Sequence, residues 1–150
     1  MEGKQMKIAL GSDHAGFEMK EAIKKHLLEK GYEVLDEGTH SEEPTDYPLF
    51  GAAAAKDVAS GKAQYGVVVC GNGEGICMTA NKIKGVRCGI AYSDSTAEDI
   101  RAHNDANMIA FGGRTMAIPD ALRRLDVFLS TGFLGGRHER RVNEMKDIEK

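Results

Sequence analysis

Residues 67–82 read VVVCGNGEGICMTANK, a β-branched run that ends on a thiol and passes straight into a loop with glycine at every second position. Val67, Val68 and Val69 favour an extended strand packed on both faces. Gly71, Gly73 and Gly75 permit a tight turn with inward-pointing backbone amides, and the segment after them, through Asn81, predicts a helix beginning near Gly75. Strand, glycine turn and helix together make one β-α unit.

The unit recurs on both sides. Upstream, KIALGS (7–12) reads as a strand, and Met19, Ala22, Ile23, His26 and Leu27 follow it at i, i+3, i+4, i+7 and i+8, one face of a helix that Gly31 stops. His26, on that face, is expected to pack. YEVLDE (32–37) is a second strand, after which Asp46 predicts a cap and Pro48 the opening of an alanine-rich helix over 48–59. Downstream, VRCGIAYS (86–93) and NMIAFGG (107–113) are further strands. Ser95 with Glu98 predicts a capping box for a helix ending near His103. Pro119 opens a helix carrying Leu122, Leu125, Phe128 and Leu129, and an additional C-terminal helix runs over about 136–148. Strands this continuous in Val and Ile, separated by helices, argue an α/β fold with a five-stranded parallel sheet covered on both faces. Residues 1–150 form one domain, because a chain of this length buries roughly 70% of its unfolded surface without staples.

Charge narrows the partners. Twenty Lys and Arg against 23 Asp and Glu leave a net charge of −3, which gives no bulk attraction for nucleic acid or a membrane surface, so any anion must be held locally. Cys70, Cys77 and Cys88 are odd in number and include no C-x-x-C pair, and MEGKQMKIAL contains no apolar leader. Reduced thiols and a cytoplasmic location are expected, with no membrane span, since no apolar run approaches ~20 residues. Cys77 and Cys88 read as packing residues.

Ligands of such sheets lie beyond the carboxyl ends of the strands. There stand Asp13 and His14, Asp46 and Tyr47, Cys70 with its glycines, Ser93 and Asp94, and Arg114. Taken singly, each Asp, Ser or Gly is also explained as a cap or turn. The glycine loop and the helix N-terminus after it form a nest for a phosphate or oxyanion. Its G-x-G-x-G spacing is not the dinucleotide fingerprint, and no Lys-Ser/Thr pair completes a P-loop. Amides and a helix N-terminus favour a thiolate, which makes Cys70 a candidate base. Farther on, Arg137, His138, Arg140 and Arg141 crowd a helix N-terminus that disfavours cations. Arg137 and Arg141, at i and i+4, can close on one phosphate; pairing with Glu139 and Glu144 is the alternative. His103, Asn104 and Asp105 end the fourth helix, where a positive imidazolium is favoured.

Assembled, GSDHAGFEMK, EGTHSEEPTDYP, VVVCGNGEG with TANK, RAHNDANMIAFGGR and FLGGRHERRV closely resemble the type B ribose-5-phosphate isomerases and their wider sugar-phosphate isomerase family, which includes galactose-6-phosphate isomerase subunits. The resemblance runs nearly end to end. It implies a Rossmann-like α-β-α sandwich, a homodimer or dimer of dimers with active sites completed across the subunit boundary, and a small sugar phosphate as ligand, with no cofactor and no metal. By position it implies that Cys70 moves a proton between C1 and C2 and that His103 assists ring opening. Asp13, His14 and Tyr47 resemble sugar and phosphate contacts, and Gly71, Gly73, Gly75, Asn104, Arg114, Arg137 and Arg141 resemble the remaining ligand-binding positions, all expected in one pocket. Two residues depart from the family pattern. Asn72 stands where Thr or Ser is usual and can donate only through its amide, in the catalytic set; Glu74 replaces an apolar residue among the substrate-binding positions, where its carboxylate costs binding of an anion unless it points outward or meets a different substrate group. Ile76 stands where one branch carries a glutamate base, which leaves Cys70. The implied reaction is interconversion of ribose 5-phosphate and ribulose 5-phosphate through a cis-enediolate. Alternatives are the same chemistry on a hexose 6-phosphate such as galactose or allose 6-phosphate, and a non-catalytic nucleotide or phosphate-binding module in which Asp94 meets a ribose hydroxyl.

Overall fold

Two-sided burial of short valine-rich strands sets the architecture. In the computed structural model, which describes residues 6–150, the chain runs β1 (Lys7–Ser12), a 3₁₀ turn (His14–Gly16), α1 (Phe17–Glu29), β2 (Glu33–Asp36), α2 (Tyr47–Ala59), β3 (Tyr65–Cys70) and α3 (Glu74–Asn81). It continues through β4 (Cys88–Ile90), α4 (Asp94–Ala102), β5 (Met108–Gly112), α5 (Ile118–Ser130) and α6 (Arg137–Ile148). The first five residues of the stretch read for a leader lie outside the described residues. No helix among the described residues is long and apolar enough to cross a membrane.

The strands are parallel in the order β2-β1-β3-β5-β4. Side chains alternate across the sheet, so Ile8, Leu10, Val67, Val69, Ile109 and Phe111 meet α1, α4 and α5 on one face. Ala9, Val68, Cys70, Met108 and Ala110 meet α2 and α3 on the other. Each fully buried Ile, Leu or Phe in these layers contributes about 1.5–3 kcal/mol of transfer free energy. The result is the expected α-β-α sandwich. α6 stands outside both layers at the β4 side: Met145 shares a small cavity with Cys88 and Gly89, and the Glu149 carboxylate accepts from Gly85 N–H at 3.2 Å.

Local differences from the sequence reading have local causes. β4 is three residues rather than the full 86–93, because its outer side has no neighbouring strand; the Asn81 amide closes that side, accepting from Cys88 N–H at 2.8 Å and donating to Cys88 C=O at 2.9 Å. Ser93, not Ser95, caps α4, its Oγ accepting from Thr96 N–H at 3.1 Å. Asp46 occupies the cap position of α2 without a side-chain capping bond. Gly73, left-handed at φ 88°, is the cap residue of α3, so that helix starts at Glu74 rather than Gly75. His26 does pack, and through a polar contact: Nε2 lies 2.9 Å from Asp126 Oδ1, joining α1 to α5.

Periodicity gave no sign of Lys20, which is 1% exposed with Nζ 2.8 Å from both carboxylate oxygens of Asp36. Burial alone would raise Asp36, but hydrogen bonds from Lys20, the Gly38 amide and Lys24 hold it below the ordinary carboxylate range. The same Gly38 fastens the end of β1: its carbonyl accepts from Ser12 N–H at 2.7 Å, and Thr39 N–H donates to Ser12 C=O at 2.8 Å.

A second buried acid lies nearby. Asp57 is 6% exposed, and its Oδ2 has no partner among the described groups unless Glu37 keeps its proton. Hydrogen bonding to Asp57, with burial and the Asp57 charge, pushes Glu37 up to about 7. Between its ordinary 4.5 and about 7 the folded chain therefore holds a proton that the unfolded chain releases, and stability falls as pH rises through that window. Glu37→Gln keeps a donor and removes the charge. Its melting temperature is expected to exceed that of the parent at ~pH 8, with the two converging as pH falls toward ~4.5, in thermal melts across that range.

Candidate active site

The sheet's topology makes one crevice. From β1 the chain crosses to β2 on one side through α1, and from β3 it crosses to β4 on the other side through α3, so the two helices leave on opposite faces. The carboxyl ends of β1 and β3 diverge there, the switch point at which α/β sheets bind ligands.

Cys70 ends β3 in this crevice, 4% exposed, with its carbonyl accepting from Gly113 N–H at 2.8 Å. Asp13 stands beside it: its amide donates to Val69 C=O, and its Oδ1 caps the 3₁₀ turn by accepting from Gly16 N–H at 3.1 Å. His14 Nδ1 accepts from Thr45 N–H at 3.1 Å. That bond assigns the ring proton to Nε2 and makes His14 a donor. Tyr47 lies across the first turn of α3; a Cβ at Gly75 would sit 2.6 Å from its hydroxyl. Arg114 donates its amide to Gly71 C=O at 2.8 Å and lays its side chain over Gly71. Asn72 Oδ1 accepts from Glu74 N–H at 2.9 Å, which satisfies one free amide of the helix and leaves Nδ2 as the donor.

These residues line a cleft of about 670 Å³ with Asp13, His14, Tyr47, Cys70, Gly71, Asn72, Glu74, Gly75 and Arg114 on its walls. Gly73 lies beneath the loop, against the backbone of Phe111. Thr45, Ala15, Met78 and Thr115 also belong here and were not singled out from sequence. Met78 had a usable signal, one helical turn beyond Glu74; Thr45 acts through its backbone and had none.

His103, Asn104, Arg137 and Arg141 are elsewhere. In a parallel sheet each helix runs back toward the amino ends of the strands, so His103, capping the end of α4, lies at the opposite edge. Asn104 C=O accepts from Arg87 Nε at 3.0 Å, just before β4 begins. The start of α6 joins them: Leu134 N–H donates to Ala102 C=O at 3.0 Å, and the His138 ring stacks on His103 with centroids 4.3 Å apart. Desolvation and the positive field of His103, Arg137 and Arg141 hold His138 below the ordinary imidazole range. No carboxylate among the described residues lies within ion-pair distance of Arg137 or Arg141, so pairing with Glu139 and Glu144 does not explain them. Within one chain the residues expected in a single pocket thus lie in two separate groups at opposite edges.

The family profile described as Ribose/Galactose Isomerase matches residues 8–145. The chain belongs to the ribose/galactose isomerase family. Ribose-5-phosphate isomerase B of Escherichia coli K12 is 43% identical over 95% of this chain and 96% of its own length. A galactose-6-phosphate isomerase subunit of Clostridium acetobutylicum is 42% identical over 85% of this chain and 74% of its own. Among solved structures, Clostridium thermocellum ribose-5-phosphate isomerase B superposes with a TM-score of 0.95 at 44% identity, covering 96% of this chain and 97% of that one. The Mycoplasma genitalium enzyme with bound ribulose 5-phosphate superposes at 0.92 and 35% identity, with 96% of each chain covered.

For a ribose/galactose isomerase family member, the rim is notable. Glu74 is exposed and stands with Asn72 and Thr115 between the Cys70 cleft and a neighbouring cavity of about 800 Å³. Asp94 is engaged by Arg123 and Arg124 at 3.0–3.2 Å, which lower its carboxyl below the usual range and remove the reason for assigning it to a ribose hydroxyl. Gly75→Ala is expected to displace the Tyr47 ring while the fold holds, since Ala is favoured over Gly within a helix by about 1 kcal/mol. Loss of nuclear Overhauser contacts between Tyr47 and α3, with an undiminished melting temperature, would report that outcome.

Proposed function

We propose that the protein is an aldose–ketose isomerase that interconverts ribose 5-phosphate and ribulose 5-phosphate through a cis-enediolate, as a single catalytic domain over residues 1–150 acting in the cytoplasm. The observation that carries the reading is the division of residues: a thiol beneath an amide-lined loop at one sheet edge, and at the other, beside a histidine, arginines without carboxylate partners among the described residues. Cys70 Sγ takes the proton from the carbon next to the carbonyl. Amides of the glycine loop and Asn72 Nδ2 meet the developing oxyanion, where fixed donors act most strongly. Asp13, His14 and Tyr47 orient the sugar, and Arg114 contributes positive charge. The scheme requires no metal and no cofactor.

The missing half comes from a second copy in this reading. In a homodimer, or a dimer of dimers, the partner subunit's His103 assists ring opening, and the partner subunit's Asn104, the partner subunit's Arg137 and the partner subunit's Arg141 hold the distal phosphate. Exposed Tyr47, Leu49 and Met78 near the cleft, and exposed Leu134 beside the second half-site, supply apolar area for the contact. A two-fold axis presents each half-site to its complement.

A hexose 6-phosphate is the second reading, favoured by the cavity that opens past Asn72 and Glu74 and gives room for a longer chain. Initial rates across a panel of sugar phosphates decide between them; good turnover of a hexose 6-phosphate beside negligible turnover of ribose 5-phosphate would reject the pentose.

Cys70→Ala is expected to lower kcat by about 10²–10⁴-fold while ribose 5-phosphate still raises the melting temperature. Mixing inactive Cys70→Ala with inactive Arg137→Ala, after subunit exchange, is expected to restore roughly a quarter of parental activity, because half the dimers then carry one intact site of two. A mixture no more active than its components would overturn the shared site.

A further inference from the structure

Two cysteines that the proposed chemistry does not use lie together outside the Cys70 cleft. Cys77 projects from α3 and Cys88 begins β4, both on the same face of the sheet. The Cys77 thiol donates to the Cys88 carbonyl oxygen at 3.3 Å, which brings the two cysteines into contact. Asn81 fixes the arrangement: its amide grips the backbone of Cys88 on both sides, and its Nδ2 approaches Cys77 Sγ at 3.7 Å. Both cysteines line the cavity of about 800 Å³ beyond Glu74, so a small polar oxidant reaches them without opening the core.

We propose that Cys77 and Cys88 form a redox-active dithiol that a hydroperoxide oxidises to an intramolecular disulfide. The neighbouring Cys88 side chain holds the Cys77 thiol below its ordinary value, and the neighbouring Cys77 side chain, with burial, pushes Cys88 well above its own. Cys77 is therefore the attacking thiolate and Cys88 the resolving thiol. Cys77 Sγ attacks one oxygen of hydrogen peroxide, the O–O bond breaks, and hydroxide leaves as the sulfur becomes a sulfenic acid. Cys88 Sγ then displaces the sulfenic hydroxyl, the S–S bond forms, and the thiol protons leave in two waters. The dithiol gives up two electrons, and the peroxide takes them.

The bond ties α3, whose first turn carries the oxyanion loop, to the edge strand β4. It is independent of the isomerase reading, because thiol chemistry alone reports it. The full chain, reduced and then treated with hydrogen peroxide, is alkylated and digested with trypsin without reductant. The expected product links residues 63–82 to residues 88–101 with the mass of two hydrogens lost, and two thiols escape alkylation until dithiothreitol returns them. Because Cys70 shares the first peptide, Cys70→Ser is tested in parallel and is expected to give the same link. In Cys88→Ser the sulfenic acid on Cys77 is expected to persist and be trapped by dimedone. Cys77 advancing to sulfinic acid in the parent without a link, a link to Cys70, a link between chains, or both thiols remaining fully alkylatable would each overturn the proposal.

Discussion

The structure depends on the two-sided burial of β3 at the centre of a parallel sheet. Val67, Val68 and Val69 are at most 1% exposed, and β1 and β5 occupy both hydrogen-bonding edges of the strand. A strand so enclosed has its reactive surface at its end. Cys70 is that end, and the chain must turn immediately because the neighbouring connections converge there: Asp13 N–H reaches Val69, and Gly113 N–H reaches Cys70. Gly73 supplies the left-handed turn in a space bounded by the Phe111 backbone, where any side chain would be both strained and crowded.

The crevice beside Cys70 rests on a buried charge. Lys20, inside α1, would be costly without Asp36, and removing one member of such a pair typically costs about 3–5 kcal/mol. The pair has geometry to offer in exchange. Asp36 Oδ1 accepts from Gly38 N–H at 3.0 Å, and Gly38 and Thr39 bracket Ser12, the residue before Asp13. An ionic contact on one side of the sheet thus helps set where the cleft's first carboxylate stands. It does so through backbone hydrogen bonds, which transmit position more strictly than side-chain packing.

Parallel βα units also impose a polarity that divides function. Residues at strand ends gather at one edge; residues at helix ends gather at the other. His103 and the first turn of α6 belong to the second class, and no rearrangement of side chains within one chain carries them to Cys70. The arginines are left facing solvent at a helix N-terminus that disfavours them. In the proposed dimer an anion and the second copy of the chain would relieve both conditions together, which is why the proposed activity and the proposed association are one argument.

From sequence alone, the alternation of valine-rich runs with amphipathic segments determined the α/β class and the strand positions, because side-chain burial enforces those periods locally. It also placed Asp13, His14, Tyr47, Cys70 and Arg114 at strand ends, since strand direction follows chain direction in β-α units. Helix caps were less legible: the spacing of Ser95 and Glu98 points to Ser95, yet Ser93 caps α4, because the backbone path decides which hydroxyl meets the first free amides. Tertiary structure alone decided that Lys20 is buried, that Asp57 raises the Glu37 carboxyl, that Cys77 meets Cys88, and that His103 and Arg137 lie away from Cys70. Each of these is a contact or separation between segments distant in the chain, fixed by strand order and crossover direction, and residue spacing carries no record of either.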